Sequence, residues 1–368
     1  MLLLRLSVAV ALLIFSSLAL AQAATAPIEP VPAAVPASHV PYPVNSPVAV
    51  ARARQIAQWF ISGNSAQLWA LFSPELQKQW QSSVKMVQAS KRMATAMGSE
   101  KKIALESAVP DLLRPTTDYS RLSQFTKSST QLVTLVALTE QGTIAALVVH
   151  PVPDAPTGQF SGYKDQARFR LPFSGQWMVY QGGRSFIQNA YLGGEEERYT
   201  MDFVLLKDGR PYSGDGTKNE QYYCFGQPVL APADGTVVRV RNTSADNEPG
   251  KATQEQGMGN VVIIAQGNNE YSVLSELKQN SITVKRGDKV KQGDPVAACG
   301  NSGASPAPHI QFRLQNSHGY PLPLSLPIQF VDYIVDGKPV ESGEPVRGQM
   351  VSNAGQATAA VGQLAPSK

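Results

Sequence analysis

Histidine and cysteine are both scarce in this chain of 368 residues. The only histidines are His39, His150, His309 and His318, and the only cysteines are Cys224 and Cys299. That scarcity excludes a cysteine-rich zinc ribbon and a dense disulfide scaffold. It also provides no second catalytic histidine to pair with a serine elsewhere. Charge is sparse as well. Only 16 % of residues are charged and the formal net charge is +4, with no arginine-rich helix and no interleaved aromatic platform. A nucleic-acid partner is therefore not expected. Outside residues 6–20 no apolar run is long enough to span a bilayer. Gly300 and Gly303 lack the lysine of a phosphate-binding loop. Glu195-Glu196-Glu197 reads as a solvated acidic loop rather than a metal site.

What is present suits a globular protein. Apolar residues make up 43 %, too many for a disordered chain, and the length accommodates two ordinary domains. Arg5, the apolar stretch Leu6 to Leu20, and small residues at Ala19, Ala21, Ala23, Ala24 and Ala26 read as a signal peptide over 1–23. Cleavage falls after Ala21 or Ala23; an uncleaved anchor is the alternative. The expected location is secreted or periplasmic, with no stable membrane span after cleavage. In an oxidising compartment Cys224 and Cys299 pair as one disulfide, or else remain two buried thiols. A bridge closing so long a loop stabilises by about 4 kcal/mol in the chain-entropy picture.

Residues 24–47 form a Pro/Ala-rich spacer. Apolar residues at helical spacing follow from Pro47, with helices expected near 66–72 and from Ser73-Pro74 to about Met97. Strands at 131–139 and 143–149, joined through Gly142, read as a hairpin. Residues 48–152 thus make a small α+β domain. His150, at a strand end, reads as structural or solvated. Residues 153–168 are a linker. Residues 169–335 hold many short strands and no long amphipathic helix, a mostly antiparallel β domain. Asp234-Gly235 is a hairpin signal. The polar loop 246–259 either lines a groove or is a solvated insertion. Residues 336–368 read as a tail, disordered from about 352.

The richest stretch is Gly300-Asn301-Ser302-Gly303, a short loop, then Pro308-His309-Ile310-Gln311-Phe312. On a strand His309 and Gln311 face the same way. With Asp202, Ala231 to Val238, Gly259 to Ile264 and Val284 to Val290, this stretch resembles the lysostaphin/LytM-type zinc metallopeptidases. The resemblance covers roughly 198–315. It implies a β-sandwich-like fold and cleavage of cell-wall peptide cross-links. The first domain resembles, less specifically, the small helical nuclear-transport-factor-like domain that precedes some such peptidases.

Several site positions depart from the pattern that the resemblance implies. The family's Asp ligand falls on Asp202. Its two His ligands fall on Arg198 and Gln311, and an assisting His falls on Glu276; His309 retains the other. A second alignment moves the first ligand from Arg198 to Tyr191. Arginine offers no lone pair, and glutamine is a weak donor for zinc. The implied site is degenerate, with Asp202 and His309 vestigial and no cofactor expected. Arg198 would then pair with Asp202 or Glu276 in place of the metal. The expected role is binding peptidoglycan or regulating a cell-wall hydrolase, as degenerate relatives of the family do. The alternative is an active zinc metalloendopeptidase with non-standard ligands, drawing on Asp202, Glu276 and His309.

Overall fold

Serines start the helices. In the computed structural model, which describes residues 42–152, 154–252, 257–319 and 322–355, Ser46, Ser73 and Ser82 accept the backbone N–H of Ala49, Leu76 and Lys85. Each thereby caps a helix: α1 (Pro47–Ile61), α2 (Pro74–Trp80) and α3 (Ser83–Met97). The single helix expected over 73–97 is broken because Gln81 adopts φ 67°, a left-handed backbone that ends α2. The expected leader, its cleavage position, His39 and residues 356–368 lie outside the described residues.

The helices pack on an antiparallel four-stranded sheet in the order β1 (Glu100–Pro110), β2 (Thr116–Phe125), β3 (Leu132–Thr139), β4 (Ile144–Pro151). Ala49, Ala53, Ile56, Ala57 and Phe60 form one buried stripe of α1. They meet Tyr119, Val136, Leu138 and Leu147 from the sheet. Strands β1 and β2 were not expected. The first half of β1 is largely exposed or charged, and β2 buries Arg121, which pairs with Glu100 and donates to Gln58 Oε1 at 2.8 Å. A buried ion pair interrupts the apolar alternation by which a strand is read.

The second domain is built on one large antiparallel sheet. Its strands are β5 (Trp177–Gln181), β6 (Met201–Val204), β7 (Pro228–Leu230), β8 (Gly235–Arg241), β9 (Asn260–Gly267), β10 (Glu270–Leu277), β11 (Lys289–Val290), β12 (Pro295–Ala298), β13 (Ile310–Gln315), β14 (Ser325–Leu326), β15 (Phe330–Val335), β16 (Lys338–Gly343) and β17 (Met350–Asn353). The sheet order is β11-β8-β9-β10-β13-β6-β5-β17-β15-β16, with β14 beside β13 and a separate β7–β12 pair. Trp177, Phe173, Phe203, Phe330 and Phe312 form a continuous aromatic core on one face. Among the described residues no helix is long and apolar enough to cross a membrane.

Three expectations need correction. Residues 336–355 are not a tail: β17 is an interior strand between β5 and β15. Asn353 is buried there, accepts the N–H of Leu171 and donates to the carbonyls of Leu171 and Phe173 at 3.0 and 2.9 Å. Short polar strands that take their order from neighbouring backbone leave little apolar pattern to read. Asp234-Gly235 is not a hairpin turn, since β7 pairs with β12 and β8 with β9 and β11. Asp234 instead pairs with Lys291 and accepts the N–H of Gln292. The described part of the linker, 154–168, is docked: Glu270 accepts from Tyr163 Oη and from the N–H of Gln166 and Ala167.

The two domains are in direct contact. Val109 and Leu112 join the second core, and Tyr222 Oη donates to the Leu112 carbonyl at 2.7 Å. Gly209, at φ 78°, lies so close that a Cβ would come within 2.0 Å of the Val44 carbonyl oxygen.

Because β17 bridges two strands, its loss should be global. A chain ended after residue 335 is expected to lose cooperative thermal unfolding by circular dichroism, whereas one ended after 355 should melt like the full chain. Equal melting temperatures for the two truncations would contradict this topology.

Candidate functional site

The site lies where β6, β10 and β13 run side by side. Register sets Gln311 opposite Asp202 on one flank and Ser275 on the other. Ile310, Phe312 and Leu314 point into the core, so His309, Gln311 and Arg313 share the opposite face. By alternation Glu276 should point away from that face. A break in the β9–β10 register between Leu274 and Leu277, with Glu276 at φ 61°, turns its side chain back toward His309.

The Gly300–Gly303 motif holds this bulge. A Cβ on Gly300 would sit 2.0 Å from the backbone nitrogen of Lys278, so only glycine permits the approach. Ser302 Oγ donates to the Leu277 carbonyl at 2.6 Å and accepts the N–H of Asn260 at 2.9 Å. Asn301 Nδ2 donates to Asn219 Oδ1 and to the Asn247 carbonyl, each at 3.0 Å. The loop 246–259, as far as it is described, is no solvated insertion. Asn247 is buried and donates to the carbonyls of Gly303 and Ser305, while the Met258 carbonyl accepts the N–H of Glu276.

The side chains gathered there are almost dry: Asp202 is 4 % exposed, Glu276 3 %, His309 3 % and Gln311 6 %. His309 Nε2 lies 3.1 Å from Glu276 Oε2 and 3.6 Å from Asp202 Oδ1. These are charge contacts rather than aligned hydrogen bonds, for none of the three atoms has a hydrogen-bond partner among the described residues. The other ring nitrogen, Nδ1, donates to the Ala307 carbonyl at 2.8 Å, which fixes the ring. Burial opposes a charge on His309, but the Asp202 and Glu276 carboxylates outweigh it and push the imidazolium up to about 10. Burial pushes Glu276 up to about 7, against the pull of His309 and aided by Asp202.

A second set of contacts joins the three positions where the resemblance, in its second alignment, places metal ligands. Tyr191 Oη donates to Asp202 Oδ2 at 3.0 Å, and Gln311 Nε2 donates to Tyr191 Oη at 3.1 Å. Gln311 Nε2 also reaches Glu276 Oε1 at 3.3 Å, and its Oε1 accepts from Ser275 Oγ at 2.9 Å. Tyr191 is placed by Asn189, whose Oδ1 accepts the N–H of Tyr191 and whose Nδ2 donates to the carbonyls of Arg198 and Thr200. A phenol and an amide committed to one another do not fit a zinc ion, which takes His, Cys or carboxylate donors. Among the described residues no group of three or more His, Cys, Asp or Glu is arranged to hold a metal.

Two expectations about the site are corrected. Arg198 does not neutralise Asp202 or Glu276. Its guanidinium turns outward to Glu195 Oε1 at 2.7 Å and to the Pro156 carbonyl at 2.8 Å. The cation beside the carboxylates is His309. The expected disulfide is not formed either. Cys224 and Cys299 are free, buried thiols, and Cys224 Sγ donates to the Pro308 carbonyl at 3.1 Å. Burial raises the Cys299 thiol well above its ordinary value and Cys224 beside it adds to this, so that thiol stays protonated and unreactive. Arg313 was missed, although strand alternation from Gln311 leads directly to it. The acidic run is not merely solvated, since Glu195 pairs with Arg198 and Glu197 with Arg313.

A mostly antiparallel sheet presenting this aspartate, histidine and Gly-Asn-Ser-Gly loop on one face defines a LytM-type, peptidase-like domain. Residues 221–322 match the model of Peptidase family M23. The matched stretch contains Glu276, His309 and Gln311, while Asp202 joins them through β6 and Tyr191 from the short helical turn Ala190–Gly193. The chain is 34 % identical over 120 residues to an uncharacterized metalloprotease of Haemophilus influenzae, 32 % of this chain and 22 % of that protein. It is 33 % identical over 90 residues to the peptidoglycan DD-endopeptidase ShyA of Vibrio cholerae, 24 % of this chain and 18 % of that protein. The chain therefore spans about a fifth of the length of these relatives. Among solved structures it is similar to the catalytic domain of the prophage-encoded M23 protein EnpA of Enterococcus faecalis. That match has 21 % identity and TM-score 0.28, covering 42 % of this chain and 93 % of that one. A zinc containing peptidase from Vibrio cholerae shows 17 % identity and TM-score 0.27, covering 62 % and 56 %.

Two predictions follow from the geometry. Gly300→Ala is expected to lower the unfolding free energy by about 1–3 kcal/mol, because backbone must shift. Gly162→Ala, with nothing within 4 Å of the added carbon, should change it by less than about 0.5 kcal/mol. Urea titration of both variants tests this, and equal small effects would contradict the packing. For pH, the folded values of His309 and Glu276 both lie above the ordinary ones, so the native state holds the extra protons. Stability from His309 is complete below about pH 6.5 and is lost as pH rises toward about 10. Unfolding free energy should therefore fall between pH 7 and 9.5. The fall should be shallower in Glu276→Gln, whose imidazolium has one partner fewer; identical slopes would contradict the pairing.

Proposed function

We propose that this is an exported, peptidase-like binding protein of the bacterial cell wall, with a degenerate zinc site. On this reading its second domain holds wall peptide, or a cell-wall hydrolase, in the groove where its family cuts peptide. The observation that carries the reading is the hydrogen-bonded chain Gln311–Tyr191–Asp202 at the ligand positions. Hydrolysis at such a site needs an electrophilic metal and a water it activates. Here an imidazolium ion-paired to Asp202 and Glu276 supplies positive charge but no open coordination position. The groove keeps the sheet and loops that shape it, which supports binding rather than cutting. Export rests on the leader-like residues 1–23. The substrate class rests on the family and on the name of the Vibrio cholerae relative.

A second reading, an active metallopeptidase, is favoured by one feature. Asp202 Oδ1, Glu276 Oε2 and His309 Nε2 are close together and lack hydrogen-bond partners. Elemental analysis separates the two. The purified protein is expected to carry well under one zinc per chain, and a chelator should leave its melting temperature unchanged. It should sediment with purified peptidoglycan more than an unrelated exported protein does. Gln311→His alone should restore no wall hydrolysis, because Tyr191 and Glu276 remain. Stoichiometric zinc, lost together with hydrolysis in Asp202→Ala, would establish the second reading instead.

A further inference from the structure

The face of β13 that carries the site continues past it. Gln311 is followed on that face by Arg313, which is 9 % exposed. A guanidinium carries five N–H donors and stays charged, so a buried one is ordinarily met by carboxylates or carbonyls on several sides. Arg313 is not. Nη1 makes one contact to Glu197 Oε1 at 3.3 Å, Nη2 faces the thioether of Met258 at 3.1 Å, and Nε has no partner among the described residues. A thioether is a weak acceptor. The Glu197 side chain is 49 % exposed, and a half-solvated, single-point ion pair holds its carboxylate only weakly. Burial lowers the affinity of Arg313 for its proton, and Glu197 only partly offsets this. The group is thus desolvated without the oxygen partners that desolvation calls for.

We propose that Arg313 is the docking point for a free carboxylate of the peptide held in the groove. The planar Nη1/Nη2 edge, held among the described residues only by Glu197 and a thioether, offers a carboxylate two parallel hydrogen bonds. Glu197 is the resident counterion that the ligand displaces or joins. Arg313 lies two residues along the strand from Gln311, so a peptide lying over the Asp202–His309 cluster would bring a carboxylate to it about two strand residues away, roughly 6–7 Å. The inference rests on the peptide-binding reading above and adds the group that is recognised.

The test uses the full mature chain and soluble peptidoglycan fragments, native or with carboxylates converted to primary amides, by isothermal titration calorimetry. Native fragments should bind at least about tenfold more tightly than amidated ones. Glu197→Gln, a surface change that leaves the core untouched, should tighten native-fragment binding several-fold by removing the competitor. Arg313→Met should lose about tenfold and become indifferent to amidation, and Arg313→Lys should recover only part of the loss. Thermal melts establish that each variant folds; should Arg313→Met not fold, amidation and Glu197→Gln decide alone. Equal binding of native and amidated fragments overturns the Arg313 site while leaving wall binding intact. Failure of wild type to bind either fragments or intact peptidoglycan overturns both readings.

Discussion

Two carboxylates, Asp202 and Glu276, are held together in a nearly dry part of a β-sheet, and the rest of the site is arranged around that cost. Unpaired, they would not stay ionised there. Each is given a neutral donor, Tyr191 Oη for Asp202 and Gln311 Nε2 for Glu276, and both share the charge of His309. The cluster is therefore a closed electrostatic unit. A buried triad of this kind adds little stability over an apolar filling, but removing one member leaves a stranded charge and is costly. That asymmetry makes the cluster hard to change one residue at a time.

Backbone devices, rather than the side chains alone, bring the cluster together. Glu276 reaches the groove face only through the left-handed residue and register break at the end of β10. Gly300 and Ser302 clamp that break from the next loop, and the same loop leads into His309. The Gly-Asn-Ser-Gly motif is thus explained by close packing of two backbone segments. It does not need to touch a ligand to be required.

Much of this was legible in the sequence, and the misses share a cause. The β domain and its central strands came from apolar alternation and turn residues, and Asp202, Glu276, His309 and Gln311 came from the family resemblance. The β1–β2 pair and β16–β17 escaped because their partners are polar backbone and buried ions, as with Arg121–Glu100 and Asn353. The role given to Arg198 failed for a related reason. Charge opposition names possible partners but not direction, and Arg198 faces Glu195 on the far side of its turn. Tyr191 was reached only through the second alignment, since a tyrosine after Asn189 carries no periodic signal. The cysteines show the limit of compositional reasoning: two thiols buried in one core satisfied a pairing argument, yet Cys224 is hydrogen-bonded to the Pro308 carbonyl.

The charge balance bears on the proposed metal-free reading. A divalent ion would offset both carboxylates; an imidazolium offsets one. The remaining negative charge has to be met by a proton, and burial together with Asp202 does hold Glu276 up to about 7 despite His309. Tyr191 and Gln311, at positions where the resemblance implies ligands, fit the same balance, for both are neutral and both donate. A site that had merely decayed would leave the carboxylates without donors, and sheet and bulge would be free to relax. On the proposed reading, Tyr191 and Gln311 instead supply donors to Asp202 and Glu276, and His309 supplies charge to both. That complementarity argues for a retained binding surface rather than a discarded active site.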